Sequence, residues 1–61
     1  MSGQRRIRTY IMLYEHLNGD EDLQEIFAQT DSQAEYYARE FCEEHNCRLL
    51  AVEWAMKRHA M

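Results

Sequence analysis

Three groupings of side chains in this 61-residue sequence could do chemistry. Cys42, His45 and Cys47 form a C-x-x-H-x-C cluster, with His16 and His59 as distant candidates for a fourth ligand. Zinc needs four such ligands converging tetrahedrally, and the paired C-x-x-C spacing of structural sites is missing. A small thiol on the apolar stripe of a helix is an ordinary core residue. The expectation is two reduced thiols and no metal. The second grouping is acidic. Glu35, Glu40, Glu43 and Glu44 fall on the polar side of a helix, where nothing builds the pocket that acid–base catalysis needs. Gly3 and Gly19 are the only glycines, too few for a glycine-rich phosphate loop. No Ser, His and Asp arrangement stands out, so neither enzymatic activity nor a cofactor is expected.

The third grouping is basic and aromatic. Arg5, Arg6 and Arg8, with Arg48, Lys57 and Arg58, could cluster beside Tyr10 and Trp54 on one sheet face. Small sheets bind single-stranded nucleic acid in this way, by stacking bases on aromatics ringed with charge. The charge balance opposes that reading. The chain carries −4 overall. Residues 15–44 hold ten acids and one base, giving −9, and the rest hold six bases and one acid, giving +5. An acidic helix repels phosphates unless it points away. Nucleic-acid binding is therefore the alternative reading, and the acidic middle suits a basic protein partner better.

These side chains must be positioned by very little structure. At 7.4 kDa the chain makes a single domain, and a domain near 60 residues buries only about 60% of its unfolded surface. Multidomain enzymes, dinucleotide-binding folds and barrels need more chain. The longest apolar run, Tyr10 to Tyr14, is five residues, against roughly 20 for a membrane span. The basic pair near the start has no long apolar stretch behind it, so no secretory signal is read and a cytoplasmic location is expected.

Residues 7–14, rich in β-branched and aromatic types, read as a strand. Asn18-Gly19 is a strong signal for a two-residue hairpin turn, and residues 23–30 return as a second strand. With that turn, opposite positions sum to 37, which pairs Ile11 with Ile26, Tyr10 with Phe27 and Tyr14 with Leu23. A longer loop would shift the register. Ser32-Gln33-Ala34-Glu35 reads as a capping box, opening a helix over 33–45 with Asn46 as a left-handed stop. Its apolar stripe is Ala34, Tyr37, Ala38, Phe41 and Cys42. A third strand spans 47–56. Residues 1–6 read as a basic, flexible arm and 57–61 as a tail. The fold expected is α+β, a single β-β-α-β domain. Its three-stranded sheet has strand order 2-1-3, with one helix packed on one face.

One helix covers one face of such a sheet, yet each strand offers apolar side chains to both. Several large groups must stay uncovered, and at about 25 cal/mol per Å² leaving them wet forfeits several kcal/mol. Exposed apolar patches of this kind mark interaction surfaces. Tyr10, Met12, Tyr14, Leu23 and Phe27, with Trp54 if it shares their face, are the expected protein-binding residues. The acidic helix face at Glu35, Glu40, Glu43 and Glu44 is a second candidate. The partner expected is a second copy of the chain, packing open face to open face as a homodimer, or a host protein.

The layout carried by Tyr10–Tyr14, Leu23–Thr30, Thr30-Asp31-Ser32-Gln33-Ala34-Glu35 and Leu49–Trp54 resembles small bacteriophage and prophage proteins. These include an RNA-polymerase inhibitor of lytic phages and some anti-CRISPR proteins. The resemblance runs over residues 7–56, is architectural, and carries over no functional residue. It implies an accessory protein that occupies the surface of a larger host machine, and a nucleic-acid-handling host protein would suit the acidic segment.

Overall fold

The fold was taken from a computed structural model, which describes residues 6–56. Strand β1 spans Arg8–Glu15, β2 Glu21–Ala28, and β3 Arg48–Trp54; helix α1 spans Asp31–His45. The sheet order is β2-β1-β3, with β1 antiparallel to both neighbours. This is the β-β-α-β domain that the sequence implies, with each element displaced by one to a few residues. Residues 1–5 of the arm expected at 1–6, and the tail expected at 57–61, lie outside the described residues. No helix among the described residues is long and apolar enough to cross a membrane.

The turn between β1 and β2 differs from the two-residue turn expected. The His16 N–H donates to the Asp20 carbonyl at 2.7 Å, and the Gly19 N–H donates to the His16 carbonyl at 2.9 Å. Those bonds enclose three residues, Leu17, Asn18 and Gly19. Gly19 sits at φ 96°, while Asn18 keeps a negative φ. A two-residue turn of the primed type would need positive φ at both. Asn18 works through its side chain instead: its Oδ1 accepts from the Asp20 N–H at 3.0 Å. Opposite positions therefore sum to 36, pairing Tyr10 with Ile26, Ile11 with Glu25, Leu13 with Leu23 and Tyr14 with Asp22. A slip of one residue moves every side chain of β2 to the other face relative to β1.

That slip determines the core. Ile26 and Ala28 join Tyr10, Met12 and Tyr14 on the face that α1 covers. The helix contributes Ala34, Ala38 and Cys42, all buried, with Phe41 half-buried against them. Small residues on the helix let its backbone approach closely, so the volume between layers is filled from the sheet. Tyr10 and Met12 are the largest fully buried side chains. The ring of Tyr14 meets Phe41 edge-on at 5.2 Å between centroids. A β-bulge interrupts the β1–β3 register, so that Leu13 faces Ala51 but Tyr14 faces Leu49. Strict alternation would group Leu50 with Val52 and Trp54; the bulge puts Leu49 in that row and leaves Leu50 exposed.

The helix starts two residues before the expected position. Thr30, not Ser32, is the N-cap, with extended backbone and its Oγ1 accepting from the Gln33 N–H at 3.1 Å. The Gln33 side chain reaches back past the N-cap to accept from the Gln29 N–H at 2.7 Å. Asp31 in the first turn complements the helix dipole. Its Oδ1 also accepts from the Tyr10 hydroxyl at 2.8 Å, joining the helix start to the central strand. At the other end Asn46 adopts the left-handed conformation, φ 55°, as expected.

Cys42 and Cys47 are both free thiols. Burial, and then the hydrogen bond and charge of Cys47, push the Cys42 thiol up to about 11. Burial also raises Tyr14, followed by the charges of Asp22, Cys47 and Cys42. The folded state thus holds both protons at pH values where the unfolded chain releases them. Such groups stabilise the fold fully below the unfolded pKa, and that contribution is lost as pH rises toward the folded pKa. Thermal melts from about pH 8 to about pH 11 should show a midpoint that declines above about pH 9. Cys42→Ala should flatten that decline, and an unchanged slope would exclude Cys42 as its source.

Candidate functional site

The surface left uncovered is the sheet face opposite α1. Alternation along the strands places Thr9, Ile11, Leu13 and Glu15 of β1 there, with Glu21, Leu23, Glu25 and Phe27 of β2. From β3 come Arg48, Ala51 and Glu53. Leu23 is 51% exposed and Phe27 60% exposed. Ile11 and Leu13, flanked on both sides by neighbouring strands, are half-buried. Leu13 lies between Leu23 and Ala51, and Ile11 between Glu25 and Glu53. The face is therefore an apolar strip along β1 and part of β2, with exposed carboxylates on the two edge strands and at the hairpin end. Glu15 meets Arg48 there at 3.8 Å, while directly opposite Glu15 stands a like charge, Glu21.

Of the six residues expected to bind protein, two lie on this face: Leu23 and Phe27. Tyr10, Met12 and Tyr14 are a correction. They belong to the core under α1, because the longer turn gives that side the apolar residues Ile26 and Ala28. Trp54 shares the helix-side face, pairing with Tyr10, and is half-buried beneath the Arg8 guanidinium, 4.9 Å from the ring centroid. Ile11 and Leu13, which sequence reasoning left off the contact list, take their place. A signal for this existed: a helix whose buried stripe is Ala34, Ala38 and Cys42 needs bulky partners, and the alternate residues Tyr10, Met12 and Tyr14 are the bulkier set in β1.

The same geometry separates the described members of the basic and aromatic grouping. Tyr10 is 1% exposed and cannot stack a base. Arg8 and Arg48 lie at opposite ends of the sheet, beside Ala28 and Glu15 respectively. Arg5, Lys57 and Arg58 lie outside the described residues. The described part of the chain holds all eleven acids against four bases, Arg6, Arg8, Arg39 and Arg48, a balance of −7.

The acidic helix residues Glu35, Glu40, Glu43 and Glu44 are all exposed, as expected for a solvated face. Glu35 pairs with Arg39 one turn on, at 3.6 Å, a surface contact worth little. Glu40 accepts a hydrogen bond from Tyr36, which, ahead of the carboxylate's charge, raises that phenol. Among the described residues the cysteine–histidine cluster does not converge, and His59 lies outside them. His45 lies against Phe41, with ring centroids 4.3 Å apart, while His16 sits in the hairpin loop 3.5 Å from Asp22. Among the described residues no three His, Cys, Asp or Glu side chains gather as a metal-binding group.

An open depression of about 290 Å³ lies between the helix start and the sheet, lined by Arg8, Tyr10, Asp31, Glu35, Val52 and Trp54. Tyr10 donates to Asp31 there and Arg8 lies over Trp54, while Glu35 pairs with Arg39. The chain matches no protein-family model, no curated protein and no solved structure.

Proposed function

We propose that this chain is a non-enzymatic protein-binding module that docks another protein on its open sheet face. The observation that carries the reading is the placement of Leu23 and Phe27, each more than half exposed, beside Ile11 and Leu13. Four apolar side chains on one unshielded sheet face form the kind of contiguous patch that marks an interaction site. A single phenylalanine among aliphatic neighbours also fits the anchor-and-surround pattern of interface hot spots. Two free thiols suit a reducing compartment such as the cytoplasm. By its likeness in layout to phage and prophage accessory proteins, the chain would act by covering the surface of a larger host assembly.

The test is a Leu23→Ala, Phe27→Ala double substitution. Both side chains are exposed, so the variant should keep a folded circular dichroism spectrum and a midpoint close to that of the parent. Association with a protein partner, read by affinity capture on the immobilised chain, should be lost. A folded variant that associates as the parent does would overturn the reading.

A further inference from the structure

We infer that the open sheet face receives a basic amphipathic helix of a partner protein, not a second copy of this chain; the inference rests on the protein-binding reading above. Three observations carry it. The first is width. Three strands spaced about 4.8 Å apart give a floor on the order of 10–15 Å across, and a helix with its side chains is about 10–12 Å in diameter. The opposite face of the same sheet already accepts one helix, α1, in this manner.

The second observation is charge. Glu25 stands exposed on the edge strand β2 beside Ile11, and Glu21 lies across from Glu15 at the hairpin end. Glu21 and Glu25 have no cationic partner among the described residues. A helix with an apolar stripe flanked by Lys and Arg would seat that stripe on Ile11, Leu13, Leu23 and Phe27, and lay its cations against these carboxylates. Charge-assisted contacts of this kind fix orientation and speed encounter.

The third observation weighs against the simplest rival. Two copies stacked open face to open face would bring together two chains of −4 each and set each face's Glu21 and Glu25 toward an apolar or acidic surface. Like-charge juxtaposition is among the stronger ways an interface rejects a partner.

The experiment titrates the full chain with three synthetic helices of about 18 residues. One carries Leu at i, i+3, i+4, i+7 spacing with Lys elsewhere; the second has Glu in place of Lys; the third has the Leu/Lys composition in scrambled order. The first should bind, and the other two should bind at least roughly tenfold more weakly. Leu23→Ala, Phe27→Ala should weaken the first helix by roughly tenfold or more. Glu21→Gln, Glu25→Gln should weaken it by roughly threefold at low salt and less at high salt. Glu40→Gln, Glu43→Gln, Glu44→Gln on the helix face should leave it unchanged.

Loss of binding in the helix-face variant alone would move the site to α1 and overturn the inference. Equal binding of the ordered and scrambled peptides would reduce it to bulk charge and overturn it as well, as would failure of all three to bind. A stable dimer of the unliganded chain, dissolved by Phe27→Asp, would overturn this inference while leaving the protein-binding reading intact.

Discussion

Tyr10→Ala is expected to cost about 3–5 kcal/mol, the range for truncating a buried aromatic. A domain of this length has roughly 3–9 kcal/mol of stability to lose. Much of the population should therefore unfold at room temperature. The argument is positional. Tyr10 is 1% exposed at the middle of the central strand's helix-side face, bounded by Ile26 on one side and Trp54 on the other. Nothing in a two-layer domain can collapse into the space it would vacate. Tyr10→Phe separates packing from the hydroxyl. It should cost about 1 kcal/mol, because Asp31 is exposed and can replace the lost donor with water. Urea denaturation of the three proteins reads both values. A cost for Tyr10→Ala below about 1 kcal/mol would mean that the ring faces solvent, and that the helix covers the other side of the sheet.

The neighbouring pair Ile26 and Phe27 tests the register itself. Ile26 is 9% exposed and Phe27 is 60% exposed, although Phe27 is the larger side chain. Ile26→Ala should cost about 2–4 kcal/mol, and Phe27→Ala within about 0.5–1 kcal/mol of nothing. In the register of the two-residue turn, the order would reverse: Phe27 would lie opposite Tyr10 under the helix and Ile26 would face outward. Two single substitutions and two melts therefore decide which face of β2 is inside.

The order of elements, the sheet order and the helix end are legible because each has a local cause. β-Branched and aromatic residues favour the extended backbone of β1, and Asn46 tolerates the left-handed conformation that ends α1. The site was less legible because its composition hangs on one turn. Asn18-Gly19 is compatible with a two-residue loop and with a three-residue loop that ends on Gly19. The difference is a backbone bond between His16 and Asp20, for which the side chains give little warning. β1 is apolar on both faces, so its own pattern does not choose between them. The same ambiguity placed Tyr10, Met12 and Tyr14 on the contact surface and passed over Ile11 and Leu13. Leu23 and Phe27 kept their expected outward place, but for a different reason: their apolar cross-strand company is Leu13, with Ile11 nearby, not the tyrosines. The bulge at Leu49 and Leu50 is equally a tertiary event, since the strand reads as uninterrupted on its own.

The central position of β1 has one more consequence, for how the chain assembles. β1 is the first of the three described strands, and its two neighbours arrive at very different times. β2 follows after a five-residue connection, and hairpins of this kind close in about 1–10 μs. β3 comes only after the whole helix, 33 positions separating Glu15 from its partner Arg48. During synthesis, one flank of the nascent hairpin must wait while those residues emerge, its backbone donors and acceptors unmatched. An unsatisfied strand flank is an invitation to neighbouring chains. The run from Asp20 to Asp22, with Glu15 across from it, surrounds that waiting hairpin with negative charge. The acids that colour the finished surface thus also keep unfinished copies apart.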